Sequence, residues 1–189
     1  MMVIGLHGKA GAGKNKAAEI MQSFLPKGTT GSTAFARAMK DVAKIKFGLT
    51  EHQVDTQEGK KEYIPELGKT VRELLELEGT EATRMIYGDD FWIWRMAQTL
   101  KQFHKEGKQV VFITDVRFPN EAEYVKSNGG VVIEIDRDME EALATTTHAS
   151  AQPLPRELVD IVIDNNGSIE DLTNTLKELV EVLEENYRA

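Results

Sequence analysis

Cysteine is absent from all 189 residues, which removes disulfides, thiolate zinc sites and thiol nucleophiles from consideration and leaves a reducing compartment open. Basic charge is also short: 23 Lys and Arg stand against 31 Asp and Glu, for a formal net charge of −8. A general nucleic-acid or membrane surface needs a basic field, so no nucleic-acid polymer and no membrane is expected as a partner, and any anion must be held locally. Long apolar runs are missing too. None approaches the roughly 18 residues that span a bilayer, and no charged-then-apolar leader precedes the first apolar run, so the expected location is the cytoplasm. There is no internal repeat or low-complexity tract. What remains, 41% hydrophobic and 29% charged residues, is the ordinary composition of a globular domain with a sizeable core.

The chain's clearest positive signal is its opening. An apolar stretch, Val3-Ile4-Gly5-Leu6, runs through His7 into Gly8-Lys9-Ala10-Gly11-Ala12-Gly13-Lys14. A strand feeding a Gly-x-x-x-x-Gly-Lys turn and then a helix is the sequence form of a phosphate-binding loop. Backbone N–H groups close around phosphate oxygens only where no Cβ intrudes, and the following helix aims its positive end at the same anion. Gly8, Gly11, Ala12, Gly13, Lys14 and Asn15 are therefore the expected phosphate cradle, with the Lys14 ammonium reaching the terminal phosphates. Asn15 stands where such loops usually carry a Ser or Thr hydroxyl for Mg²⁺. The direct hydroxyl ligand is absent, but the amide oxygen can still accept a bond from a metal-bound water, so metal contact through Asn15 is expected through water.

Short apolar runs at 3–6, 32–35, 110–114, 131–135 and 161–163 alternate with helical patterns, which predicts an α/β fold with a five-stranded parallel sheet flanked by helices. Helices are expected after Lys14, over 37–47, 68–78, 81–87 and 91–105, and from Ser168, whose hydroxyl can cap with Asp171. The polar run 55–62 reads as a mobile loop. Residues 137–157, with Pro153 and Pro155, read as a flap. The whole is expected to be one domain, 1–189, with an insertion over about 37–95 and a lid over about 137–157.

Asp115 ends the third apolar run, where open α/β sheets present ligand-binding residues, and Arg117 follows with a planar fork suited to phosphate. Pro119 then opens a helix, with Glu121 as an alternative ion-pair partner for Arg117. Arg72, Arg84 and Arg95 recur through the middle of the chain. Singly each is an ordinary helix charge; together they suit a kinase that must hold two anionic substrates side by side. Trp92 and Trp94 are either core or base-stacking residues. His148 lacks a companion ligand and reads as a loop hydrogen-bonding residue, whereas Arg137, at a strand end, is placed to close over phosphates. Asn165-Asn166-Gly167 is a turn by composition, and its place beside the loop suits adenine contact through Asn166 and Gly167.

These segments resemble the bacteriophage deoxynucleoside monophosphate kinases, a branch of the P-loop nucleotide kinases. The resemblance runs from Gly5 to about Leu172. It rests on the phosphate loop, Phe35-Ala36 with Lys40, Thr70 to Arg84 with Gly79-Thr80-Glu81, and Gly88 through Trp92. It continues through Thr114-Asp115-Val116-Arg117-Phe118-Pro119-Asn120-Glu121, His148-Ala149-Ser150 and Asn166-Gly167-Ser168. It implies the three-layer kinase fold, with ATP and Mg²⁺ as donor and cofactor and a deoxynucleoside monophosphate as acceptor. Lys14, Asp115, Arg117 and Arg137 would act in catalysis, and Lys40, Arg72, Arg84, Trp92, Asp115, Arg117 and Glu121 on the acceptor. The setting it implies is nucleotide supply for phage DNA synthesis in the host cytoplasm, and it allows a homodimer. Two positions depart from the pattern: Asn15, and Ala151 where a glutamate is expected after His-x-Ser. Both remove a metal- or proton-handling group, which keeps open a degenerate nucleotide-binding or regulatory protein as the alternative.

Overall fold

The computed structural model describes residues 1–138 and 152–188. The chain divides into two compact units, Met1–Ala34 with Gln98–Ala189, and Phe35–Ala97.

The first unit is built on one sheet. Its strands are β1 (Met2–His7), β2 (Thr30–Thr33), β5 (Val110–Ile113), β6 (Val131–Asp136) and β7 (Ile161–Asp164), ordered β2-β5-β1-β6-β7 and all parallel. β1 lies in the middle, and every one of its residues is buried. A parallel strand covered on both faces needs such an unbroken apolar run. Alternation sorts its side chains by face. Met2, Ile4 and Leu6 join Phe112, Ile133 and Ile135 in a core closed by Met21 of α1 (Lys14–Ser23) and Leu172 and Leu176 of α8 (Ile169–Arg188). On the other face, Gly5 lies against Val116 and Val125, the latter from α7 (Pro119–Ser127). The predicted start of the last helix holds: Ser168 Oγ donates to Asp171 Oδ2 at 2.7 Å, and the Asp171 N–H returns to Ser168 Oγ at 3.2 Å.

One strand is displaced from its expected place. Parallel pairing of Thr30 with Val110 through Thr33 with Ile113 fixes β2 two residues earlier than the apolar run suggested, and Phe35 is a buried residue at the head of α2 (Ala36–Phe47).

The second unit packs α2 against α3 (Glu51–Asp55) and α4 (Val71–Glu76), around Ala43, Leu49, Val54, Val71 and Leu75. Three expectations are corrected here. The polar run 55–62 is not a loop throughout: Asp55 ends α3, and Gly59–Lys61 form a 3₁₀ turn whose Gly59 N–H donates to Thr56 Oγ1 at 2.9 Å. The helix expected from residue 68 starts at Val71, because Lys69–Thr70 (β4) pairs antiparallel with Tyr63–Ile64 (β3) and Thr70 forms a capping box with Glu73. The two helices expected over 68–78 and 81–87 are continuous, joined by a π-helical turn, Leu77–Ala82, which leads into α5 (Thr83–Tyr87). The π turn is braced by side chains: Trp92 Nε1 donates to Gly79 O at 2.8 Å and Thr83 Oγ1 to Glu78 O at 2.6 Å. Helix α6 (Phe91–Lys105) follows, as expected. Among the described residues no helix is long and apolar enough to cross a membrane.

Candidate active site

The phosphate loop hangs from the C-terminal end of β1 and is gauged against the strand ends beside it. Gly8 has φ +136°, and a Cβ there would lie 2.4 Å from the Ile135 carbonyl oxygen. Gly13 has φ +99°, and its Cβ would lie 2.7 Å from Asn165 Nδ2. Positive φ favours glycine at both, and at Gly8 the backbone carbonyl also leaves no room for a side chain. Lys14 opens α1, and its Nζ donates to Gly8 O and Lys9 O at 2.7 Å each, folding the ammonium back into the loop. Burial, helped by nearby Arg117, pushes the Lys14 pKa down to about 8, against the opposing pull of Asp115. The first turn of α1 carries no acidic residue, so its positive end is unopposed toward an anion. Gly11 is exposed with φ +85°, Ala12 is buried, and Asn15 is exposed.

Asp115 and Arg117 follow β5, and both lie close enough to Lys14 to act on its charge. Asp115 is buried and Arg117 is exposed. Val116 between them is held by both its backbone groups: its N–H donates to Leu6 O at 3.0 Å, and its carbonyl accepts from His7 Nδ1 at 2.9 Å. Glu121 is only 2% exposed and its Oε2 accepts the N–H groups of Arg117 (2.8 Å) and Phe118 (3.2 Å). It shapes the turn that presents Arg117.

The ends of β6 and β7 complete this side. Asn166 Oδ1 accepts from the Asp138 N–H at 2.7 Å, while the Asn166 side-chain amide and backbone N–H both donate to Asp164 Oδ1. Arg137, Asn166 and Gly167 are exposed. Asn165 was missed by sequence reasoning, which saw only a polar turn. It is 8% exposed, and its Nδ2 donates to Ala12 O at 2.8 Å, propping the loop from beneath. An amide directly after a parallel strand, at the same end of the sheet as Asp115, was the available signal.

The remaining candidates belong to the second unit. Lys40 pairs with Asp55 at 2.7 Å, Arg72 donates to Gln57 Oε1 at 2.9 Å, and buried Arg84 donates to Asp89 O at 2.8 Å. Trp92 is 7% exposed and donates to Gly79 O; with its N–H engaged and its ring buried, it braces the π turn. Trp94 is exposed, at 59%. His148 and Ala151 lie outside the described residues.

A glycine-built anion loop at a helix head, with Asp115 and Arg117 at the adjacent strand end of a parallel sheet, is the construction of a P-loop kinase. The fold agrees. Dephospho-CoA kinase from Campylobacter jejuni aligns over 98% of each chain with a TM-score of 0.54 at 15% identity. The family model for deoxynucleotide monophosphate kinase matches residues 14–176, and the chain belongs to that family. It is 31% identical to a candidate deoxynucleotide monophosphate kinase of Acanthamoeba polyphaga mimivirus, over 96% of this chain and 97% of that one. It is 24% identical to the deoxynucleotide monophosphate kinase of Escherichia phage RB69, covering 74% of this chain and 57% of the phage protein.

Proposed function

We propose that the chain catalyses ATP-dependent phosphorylation of a deoxynucleoside monophosphate to the diphosphate. The observation that carries this reading is the Lys14 ammonium, desolvated at the mouth of a glycine loop beside Arg117 and bonded, among the described residues, to two loop carbonyls. An anionic phosphate is the ligand that relieves both its desolvation and its repulsion from Arg117. An oxygen of the acceptor monophosphate attacks the γ-phosphorus of ATP, the bond from that phosphorus to the bridging oxygen breaks, and ADP leaves with the electron pair. The acceptor is already an anion, so positioning and charge neutralisation supply the catalysis and no dedicated base is needed.

In this reading Gly8, Gly11, Ala12, Gly13 and Lys14 hold the donor phosphates, and Arg117 bonds the acceptor phosphate and steadies the transferring group. Lys40, Arg72 and Arg84 hold the acceptor, Arg137 screens the phosphates from water, and Asn166 with Gly167 borders the adenine. Mg²⁺ usually takes one or two carboxylates and completes its shell from phosphates and water. Among the described residues no cluster of three acidic or histidine ligands exists. One buried carboxylate, Asp115, beside the loop and one exposed amide, Asn15, at the helix head fit an ion that arrives on the nucleotide. Bound there, it would neutralise charge on the transferring phosphates.

Asn15 in place of a hydroxyl favours a second reading, a nucleotide-binding protein with little turnover. Measuring ADP formation with ATP alone and with each deoxynucleoside monophosphate separates the two. The kinase reading expects release only with an acceptor, abolished in a folded Lys14→Ala variant; acceptor-independent release, or none, would sink it.

A further inference from the structure

His7 closes β1 immediately before the loop, is 7% exposed, and has no part in the chemistry above. Its partners fix its protonation state. Nδ1 lies 2.9 Å from Val116 O, which can only accept, and Nε2 lies 3.4 Å from the Leu154 N–H, which can only donate. The ring that satisfies both is neutral, with its proton on Nδ1. It touches two backbone segments, the turn at Val116 and the stretch at Leu154. Val116 separates Asp115 from Arg117 and is held on its other side by Leu6, so β1 grips that peptide by both its N–H and its carbonyl.

We propose that neutral His7 is a positioning residue that sets Asp115 and Arg117 in register with the phosphate loop, and that protonating it disengages Leu154 and lowers phosphoryl transfer. The proposal rests on the kinase reading for what Arg117 and Asp115 do, but not for the state of the ring. Charging the ring sets an N–H against the Leu154 N–H and adds a cation to a site that already holds Lys14, from α1, and Arg117, after β5. Glu134 on β6 is the opposing charge. Burial is the largest influence and holds the His7 pKa below its ordinary value, with Lys14 and Arg117 acting in the same direction and the Val116 bond and Glu134 opposing. The neutral ring therefore prevails at neutral pH, and the switch lies on the acid side.

Three measurements test this. Nitrogen-15 NMR of the imidazole in the intact chain should show the proton on Nδ1 at pH 7.5 and titration below pH 6.5. A proton on Nε2, or a ring already charged at neutral pH, would overturn the assignment. In kinetics, His7→Asn keeps a donor at the Nδ1 position, whereas His7→Leu fills the space without one. The acceptor kcat/KM should fall roughly tenfold or more in His7→Leu, the equivalent of one lost buried hydrogen bond, and only about threefold or less in His7→Asn. Equal values for wild type and a folded His7→Leu would refute the positioning role, as would equal losses in both variants. Finally, the ratio of wild-type to His7→Asn kcat/KM cancels the acceptor phosphate's own titration near pH 6, and it should fall as pH drops through the His7 transition. A flat ratio would remove the protonation step. A wild-type protein that phosphorylates no deoxynucleoside monophosphate would fail the kinase reading instead, while the NMR result would still decide the state of His7.

Discussion

Raising pH from 7 to 9 should weaken ATP binding about tenfold, through one side chain. With its pKa held near 8 in the free protein, Lys14 is about nine-tenths charged at pH 7, half charged at pH 8 and one-tenth charged at pH 9. Phosphates bound against it favour the charged form, so binding must draw a proton from solvent: about 0.1 per site at pH 7, about 0.5 at pH 8 and about 0.9 at pH 9. A lysine near its ordinary pKa would take up almost nothing over this range, and affinity would stay flat. Stability of the free protein should move the opposite way. The folded lysine binds fewer protons than the unfolded one between pH 8 and about 10.5, so this contribution rises with pH across that window. Calorimetric titration of ATP at pH 8, in two buffers of different protonation enthalpy, reads the proton count directly, and Lys14→Ala should abolish the uptake. Zero uptake at pH 8 in the wild type would refute the claim that loop burial and Arg117 desolvate and repel this ammonium.

Arg117→Lys should lower acceptor kcat/KM by roughly tenfold or more, since a fork for two phosphate oxygens becomes a point charge; steady-state kinetics that raise the ATP constant instead would reassign Arg117 to the donor. Asn15→Thr should lower the Mg²⁺ concentration for half-maximal turnover by supplying a direct hydroxyl ligand, and an unchanged metal titration would show that the ion does not approach the head of α1. Asn165→Leu leaves the Ala12 carbonyl without its donor at a cost of about 1–3 kcal/mol. Both thermal stability and ATP affinity should fall together, and a loss of stability with unchanged affinity would mean that the loop keeps its shape without the prop.

Main-chain chemistry was the part of this molecule that its sequence expressed least. The parallel sheet was legible because Val3, Ile4, Val110, Val111, Phe112, Val132 and Ile133 are buried and apolar without interruption. The loop was legible because its glycines have no substitute. Boundaries failed where pairing outranked composition: β2 is placed by its register with β5, and Gly68 reads as a helix start only until its neighbours pair across a hairpin. Lys14, Asp115 and Arg117 were found together because strand ends converge. The backbone contacts of His7, Glu121 and Asn165 were not legible because their partners are carbonyl and amide groups of Val116, Arg117, Phe118 and Ala12, and a residue letter says nothing about which backbone group will face it.

That reliance on main chain has a consequence for how this site tolerates change. Gly8 is fitted to a carbonyl of β6, not to the side chain of Ile135, and Asn165 reads a carbonyl of the loop itself. Apolar side chains along β6 can therefore be exchanged for others of similar bulk while the carbonyl that Gly8 is fitted to stays in place. A single inserted or deleted residue in β6 or β7 is another matter, because it would move the measuring groups by one position while leaving every loop residue intact. The anion site is therefore robust to substitution along its neighbouring strands and fragile to their length.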